Sequence, residues 1–221
     1  MSPARAARKE EQPDRAYGGK TLDARRAEQR ERVLVAARDV FAARGYAGAG
    51  VEEIVARAHV SRTTFYVFFT NKEECLLAVF GWGVERIAAE VMAAVAETVG
   101  QELAPAARIR EQVRVVARAL AEDPAMARIV LIEIVGATPR AERARVRLRD
   151  AAANVIETQL ERSEHWRERT PDERRVASLA AMAAIGEPIS DLVAGGRLSQ
   201  WEQFVEPISE FVARGLVSPS E

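Results

Sequence analysis

Residues 32–76 read RVLVAARDVFAARGYAGAGVEEIVARAHVSRTTFYVFFTNKEECL, and the spacing of the apolar residues within them decides the fold. Val33, Ala36, Ala37, Val40 and Phe41 recur at helical intervals and predict one buried stripe opposite an arginine-rich face. Gly45 ends that helix. A short second helix carries Val51, Ile54, Val55 and Ala58 on one side. After a turn at His59 and Val60, Ser61 stands at an N-cap, where a hydroxyl accepts from the free N–H groups of a first turn. A third helix then runs from Arg62 to Phe69, with Phe65, Phe68 and Phe69 as its core face and Thr63, Tyr66 and Val67 pointing outward beside Arg62. This is the pattern of a helix-turn-helix, whose second helix reads the major groove of duplex DNA.

Charge agrees with that reading once it is divided along the chain. The net charge of −1 conceals +5 over residues 1–72, where 14 Lys and Arg face 9 Asp and Glu, and −6 over the remainder. A basic reader attracts a polyanion while an acidic remainder does not. With 221 residues, 48% apolar and 29% charged, the chain has the composition of an ordinary folded protein of one or two cores. Its apolar runs, such as Ile129–Val135 broken by Glu133, are shorter than the roughly 20 residues of a spanning helix, so no membrane partner is expected. The charged first 20 residues lack the apolar stretch of a signal peptide, which predicts a cytoplasmic protein.

The single cysteine, Cys75, excludes an internal disulfide and reads as a small hydrophobe at a helix start, with redox sensing as the alternative. His59 and His165 lie apart with no metal-ligand spacing around them, and neither a glycine-rich phosphate loop nor a nucleophile elbow occurs. No metal, cofactor or catalytic residue is expected. A helical dimerising adaptor or a helical enzyme is the alternative class, and neither accounts for the basic helix-turn-helix.

Prolines and glycines set the organisation. Residues 1–20 read as an unstructured arm of mixed charge, 21–72 as a DNA-binding domain, and 73–221 as a second helical domain. A fourth helix starts near Asn71 and runs to about residue 95. Further helices are expected near 105–121, 124–136, 139–163, 172–194 and 200–215, several opening on a proline, which suits a first helical turn. The prediction is an all-α protein of about nine helices. Pro188 and Pro207 fall inside the last two, where each predicts a kink.

The quoted segment resembles the N-terminal domain of the TetR family of bacterial transcriptional regulators. The resemblance is carried by the paired alanines before Val40-Phe41, Gly45-Tyr46, Val51 with Ile54, the Val60-Ser61 turn, Thr64-Phe65-Tyr66, and Phe69 followed by Asn71-Lys72-Glu73. It implies a sequence-specific regulator, most often a repressor released from its operator by a small hydrophobic effector, with activation as the alternative. Arg62 opens the reading helix, where its guanidinium forks onto guanine O6 and N7. Thr63 and Val67 face the bases. Thr64 and Tyr66 correspond to family positions that contact phosphates or bases, and Ser61 completes the set. Lys72, at the start of the fourth helix, is expected to clamp a phosphate together with free backbone N–H groups.

The chain departs from the family pattern in several places, among them Thr63, which stands where a glycine is common. Ala49-Gly50 replaces the usual hydroxyl cap of the second helix, His59 takes the place of the turn glycine at a position that needs positive φ, and Phe68 replaces a polar aromatic. One short helix covers few base pairs, so such a reader works as a homodimer on a near-palindromic operator. Leu179, Met182, Ala183, Gly186, Ile189 and Val193, with Phe204, Ile208, Phe211 and Val212, form stripes on the last two helices that either pair with a second copy, as the resemblance implies, or fill the chain's own core. The resemblance also implies an effector cavity among the middle helices, with Met92, Val116, Leu120, Met126, Ile129, Ile132, Glu133, Asn154 and Trp166 as candidate lining. Glu133 is the sharpest of these, because a carboxylate in an apolar run needs a partner, either a polar effector or an arginine of the chain.

Overall fold

The computed structural model describes residues 21–98 and 104–217, so the arm over 1–20 lies outside the described residues. Three helices come first: α1 (Leu22–Gly48), α2 (Val51–Ala58) and α3 (Arg62–Phe68). Thr21 Oγ1 accepts from the Ala24 N–H at 3.2 Å and Ser61 Oγ from the Thr64 N–H at 3.0 Å, so α1 and α3 both begin on hydroxyl caps. Near its end α1 bends at Gly45, whose φ of 71° suits a residue without Cβ. His59 closes α2 in the left-handed conformation (φ 53°, ψ 45°), and Gly50 opens it without a side-chain cap.

The stripe of Val33, Ala36, Ala37, Val40 and Phe41 is buried against Ile54, Val55, Ala58, Phe65 and Phe69. Phe68 is half-buried and packs against the rim of the same core, beside the fully enclosed Phe65 and Phe69. The helix ends at Phe68, and Phe69 turns inward in extended geometry (φ −140°, ψ 124°). From α4 (Lys72–Thr98), Cys75, Leu76, Val79 and Phe80 seal the same core.

That core does not stop at residue 72. Met126, Ile129, Ile134 and Ala141 belong to it as well, so the first three helices share their interior with the middle of the chain. The remaining elements are α5 (Pro105–Glu122), α6 (Pro124–Arg128), a π-helical turn (Ile129–Glu133), α7 (Pro139–Leu160), α8 (Glu164–Arg167), α9 (Pro171–Ala194), a 3-10 turn (Leu198–Gln200) and α10 (Trp201–Leu216). The described residues contain ten α-helices and no strand, as an all-α fold requires. Two ranges differ from expectation. The helix near 124–136 gives way to the π turn, and the helix expected over 139–163 ends at Leu160 and is followed by the short α8, which was not expected.

The π turn has a packing reason. In an α-helix, residues five apart point about 140° away from each other, whereas in a π turn they nearly align. The Ile134 N–H donates to the Ile129 carbonyl at 3.1 Å, and both isoleucines are fully buried in one core. The same register puts Arg128 and Glu133 on one side, where they pair at 3.0 Å.

Two further cores hold the second half together. One gathers Leu120, Ala127, Ile189, Leu192 and Val205, the other Val113, Leu160, Ala181, Ile208 and Val212. Around them α5 and α10 are linked by Arg110–Glu210 (3.0 Å) and Arg114–Glu206, and α7 and α9 by Arg175 reaching Asp150 (2.7 Å) and Glu157 (2.9 Å). Both α9 and α10 continue through Pro188 and Pro207 as unbroken helices.

By length and composition α9 is apolar enough to cross a membrane, contrary to the expectation drawn from the runs around Ile129, yet only 28% of its most apolar stretch is buried within the chain. Its alanines raise the apolar content without forming a conspicuous run. One side packs on neighbouring helices, and the other side carries exposed Val176, Ala180 and Ala183.

Cys75 is fully buried, and desolvation pushes its thiol up to about 12. This corrects the redox-sensing alternative, because the thiolate is the reactive form and almost none exists at neutral pH. Iodoacetamide is expected to leave the native protein unmodified and to add one group per chain after unfolding in urea. Equal rates in both states, read by intact mass, would contradict this burial.

Candidate nucleic-acid interface

The outward face of α3 is built on a rigid aromatic base. Phe65 is fully buried, meets Tyr66 edge-on at 5.4 Å and lies 5.5 Å from Phe69. From this base Arg62, Thr63, Tyr66 and Val67 project into solvent, with Tyr66 44% and Val67 64% exposed. The Ser61 hydroxyl is occupied as the cap and lies 2.8 Å from Thr64 Oγ1, so Ser61 and the half-buried Thr64 shape the start of the helix. The structure thus gathers six of the seven residues singled out from the sequence on one short element.

Arg62 does not project alone. Its Nη1 donates to Glu52 Oε1 at 2.6 Å, and its guanidinium lies 5.7 Å from the centre of the Tyr66 ring. Tyr66 first, and then Glu52, hold this arginine more firmly in its charged form. Glu52 lies in the first turn of α2, and the sequence carries no signal that links it to a residue ten positions later.

Lys72, the seventh residue, faces elsewhere. Its Nζ donates to the carbonyls of Tyr46 (2.7 Å) and Ala49 (2.9 Å) and sits 4.5 Å from the centre of the Tyr46 ring. A cation at the C-terminal end of α1 satisfies carbonyls that have no helical partner and opposes the negative end of the helix dipole. In this structure the ammonium therefore fastens α4 to α1, which corrects its reading as a free phosphate clamp. Asn71 caps α4, its Oδ1 accepting from the Glu74 N–H at 2.9 Å.

The same end of α1 is held from the other side by Glu133. Its Oε2 accepts from the Tyr46 N–H at 2.9 Å, and Oε1 from Arg128 at 3.0 Å. A Cβ on Gly45 would lie 3.2 Å from Oε2, so glycine meets both the backbone angle and the close approach there. Glu133 has found its partners within the chain, which removes it from the expected effector contacts. A second link runs through Asp123, 9% exposed, which pairs with Arg38 of α1 (2.9 Å) and Arg86 of α4 (3.2 Å) and caps α6 at the Met126 N–H (3.0 Å). Burial opposes the charge on neighbouring Asp39, but Arg38 and Arg57 outweigh it and hold that carboxyl below its usual range.

The rest of the expected effector lining is not brought together. Met92 is 60% exposed, Asn154 is exposed, and Trp166 Nε1 donates to the Leu216 carbonyl at 2.8 Å. Met126 and Ile129 lie in the core shared with α1, Val116, Leu120 and Ile132 in the second, and Trp166 beside the third. Most of these side chains are apolar because they fill three separate cores.

The expected dimer stripes divide in two. Ile189, Val193, Ile208 and Val212 are buried in the chain's own cores, which corrects their assignment to the interface. Leu179, Met182, Gly186 and Phe204 are half-buried, Ala183 is exposed, and Phe211 is 71% exposed.

Residues 33–79 match the family model of the bacterial regulatory proteins of the tetR family. Over 73 residues, 33% of each chain, the sequence is 41% identical to the HTH-type transcriptional activator FasR of Mycolicibacterium smegmatis. Over 107 residues it is 33% identical to an uncharacterised HTH-type transcriptional regulator of Mycobacterium tuberculosis, covering 48% of this chain and 51% of that one. The chain thus spans between a third and about half of the length of these relatives. Among solved structures, the transcriptional regulator FadR of Bacillus subtilis in complex with stearoyl-CoA aligns with a TM-score of 0.70 at 19% identity, over 85% of this chain and 99% of that one. The fatty acid degradation regulator FadR of Bacillus halodurans gives 0.69 at 20% identity with the same coverage. These two likenesses are of fold.

Proposed function

We propose that this chain, whose N-terminal domain belongs to the TetR family, is a transcriptional regulator that binds a near-palindromic operator as a homodimer and is released from it by an apolar small molecule. The observation that carries the proposal is the exposed Arg62, Thr63, Tyr66 and Val67 face of α3, fixed from behind by Phe65 and Phe69 in a chain that matches the family over this segment. An exposed aromatic and valine beside a guanidinium suit a groove that offers thymine methyls and guanine edges.

A second copy is the partner that best accounts for the long apolar α9 with its uncovered side, together with Phe211 of α10. Repression is the preferred reading. The FasR match favours activation as the second, since that relative is named an activator. For the effector we propose a long-chain acyl thioester, by analogy with the B. subtilis FadR complex.

Random-site selection with the purified protein is expected to enrich a near-palindrome, and enrichment of nothing above background would refute sequence reading. Arg62→Ala is expected to flatten the preference at one base pair of each half-site by about five- to a hundredfold. Stearoyl-CoA is expected to raise the melting temperature where coenzyme A alone does not, and no shift with either would remove the acyl assignment.

A further inference from the structure

We propose that Glu52 is a specificity-determining residue of the DNA-reading face, fixing the pose in which Arg62 meets a base pair. The inference rests on the reading of α3 as the helix that enters the major groove. Arg62 is the first residue of α3 and Glu52 lies in the first turn of α2, so the 2.6 Å contact between Nη1 and Oε1 ties the reading residue to a second helix. The Tyr66 ring, 5.7 Å from the guanidinium carbon, restrains it from a different direction. A guanidinium has five N–H donors in a planar fork, so donation to one carboxylate leaves enough to reach O6 and N7 of a guanine. An arginine without such restraint loses more conformational freedom on reaching a base, and pairs as readily with any nearby phosphate.

The acid itself is informative. The side chains of Arg62 and Glu52 are 62% and 69% exposed, and so open a pair contributes little to folding. Glu53, the next residue, is turned to Arg44, and no second partner of Glu52 occurs among the described residues. A carboxylate on a surface that approaches phosphates weakens binding to every sequence alike, unless it is offset by better discrimination of the right one. Removing it therefore tightens binding to non-specific duplex while lowering the preference for the right base pair.

The test uses the full chain and the site enriched by the wild-type protein. Failure of the wild type to enrich any site, or of Arg62→Ala to flatten any base position, would sink the reading of α3 and this inference with it. Where both succeed, Glu52→Gln tests Glu52 alone. It is expected to keep the melting temperature, to lower the preference at the Arg62-dependent base pair about two- to fivefold, the range an exposed ion pair supports, and to tighten binding to non-specific duplex. In an Arg62→Ala background the same change is expected to leave base preference unaltered. An unchanged preference at that position in the single variant, or an equal gain in affinity for all sequences, would overturn the proposal.

Discussion

Replacing Phe211 by glutamate is expected to convert the protein to a monomer and to lower its affinity for a palindromic operator by roughly a hundredfold or more. Phe211 is 71% exposed on α10, where Pro207, Glu210, Arg214 and Gly215 form a shallow recess around it. Burying such a side chain contributes roughly 1.5–3 kcal/mol, and a two-fold interface gains it twice. A carboxylate at the same place has to be desolvated to enter an apolar contact and adds to the charge of neighbouring Glu210, which reverses the sign. Two linked half-site readers exceed one by roughly 10²–10⁴ in affinity, so loss of the dimer is read directly in operator binding. The fold itself should persist, because Phe211 contributes little to the chain's own cores. Light scattering checks the mass, and a Phe211→Glu protein that remains dimeric would remove α10 from the interface.

The second large effect is expected inside the molecule, where Gly83 of α4 faces the Met126 side chain. A Cβ on Gly83 would lie 2.1 Å from Met126 Sδ and 2.7 Å from its Cγ, and Met126 is 1% exposed, so it has to shift within a closely packed core. Gly81, two residues earlier on the same helix, has open space around it. Alanine at an open helical position is more stable than glycine by about 0.8–1.0 kcal/mol, so Gly81→Ala is expected to stabilise. Gly83→Ala has the same gain in propensity, but overpacking of about 1–3 kcal/mol opposes and outweighs it. Met126→Ala alone is expected to cost about 2–5 kcal/mol through the cavity it leaves, and adding Gly83→Ala to it should recover stability. Denaturant unfolding of the four variants decides the matter, and similar behaviour of Gly83→Ala and Gly81→Ala would show that the contact is not tight.

Much of the fold is legible along the chain because its causes are local. Hydroxyl caps at Thr21, Ser61 and Thr138, prolines opening α5, α6, α7 and α9, and the left-handed His59 all act within a few residues. The stripe of α1 and the outward face of α3 follow from helical period alone. The exposure of Arg62, Thr63, Tyr66 and Val67 is legible for the same reason, and legibility fails where a side chain answers to a distant partner. Nothing near Lys72 in sequence indicates that its ammonium is taken by carbonyls 23 and 26 residues earlier, and nothing near Glu133 points to the Tyr46 N–H 87 residues away.

The apolar residues of the second half show the limit most plainly. Ile189, Val193, Ile208 and Phe211 look alike in a list, but three are core and one lies on the surface, because a helix shows its period in the sequence without showing which neighbours surround it. The amino-acid sequence by itself determined that the chain is helical, where its helices begin, and which face of the short third helix is exposed, since these depend on bonds and contacts within a turn or two. Only the tertiary structure decided the π turn, the fastening of α1 by Lys72 and Glu133, the distribution of apolar side chains over three cores and the pairing of Glu52 with Arg62. Those depend on distances between segments far apart in sequence, which no local pattern encodes.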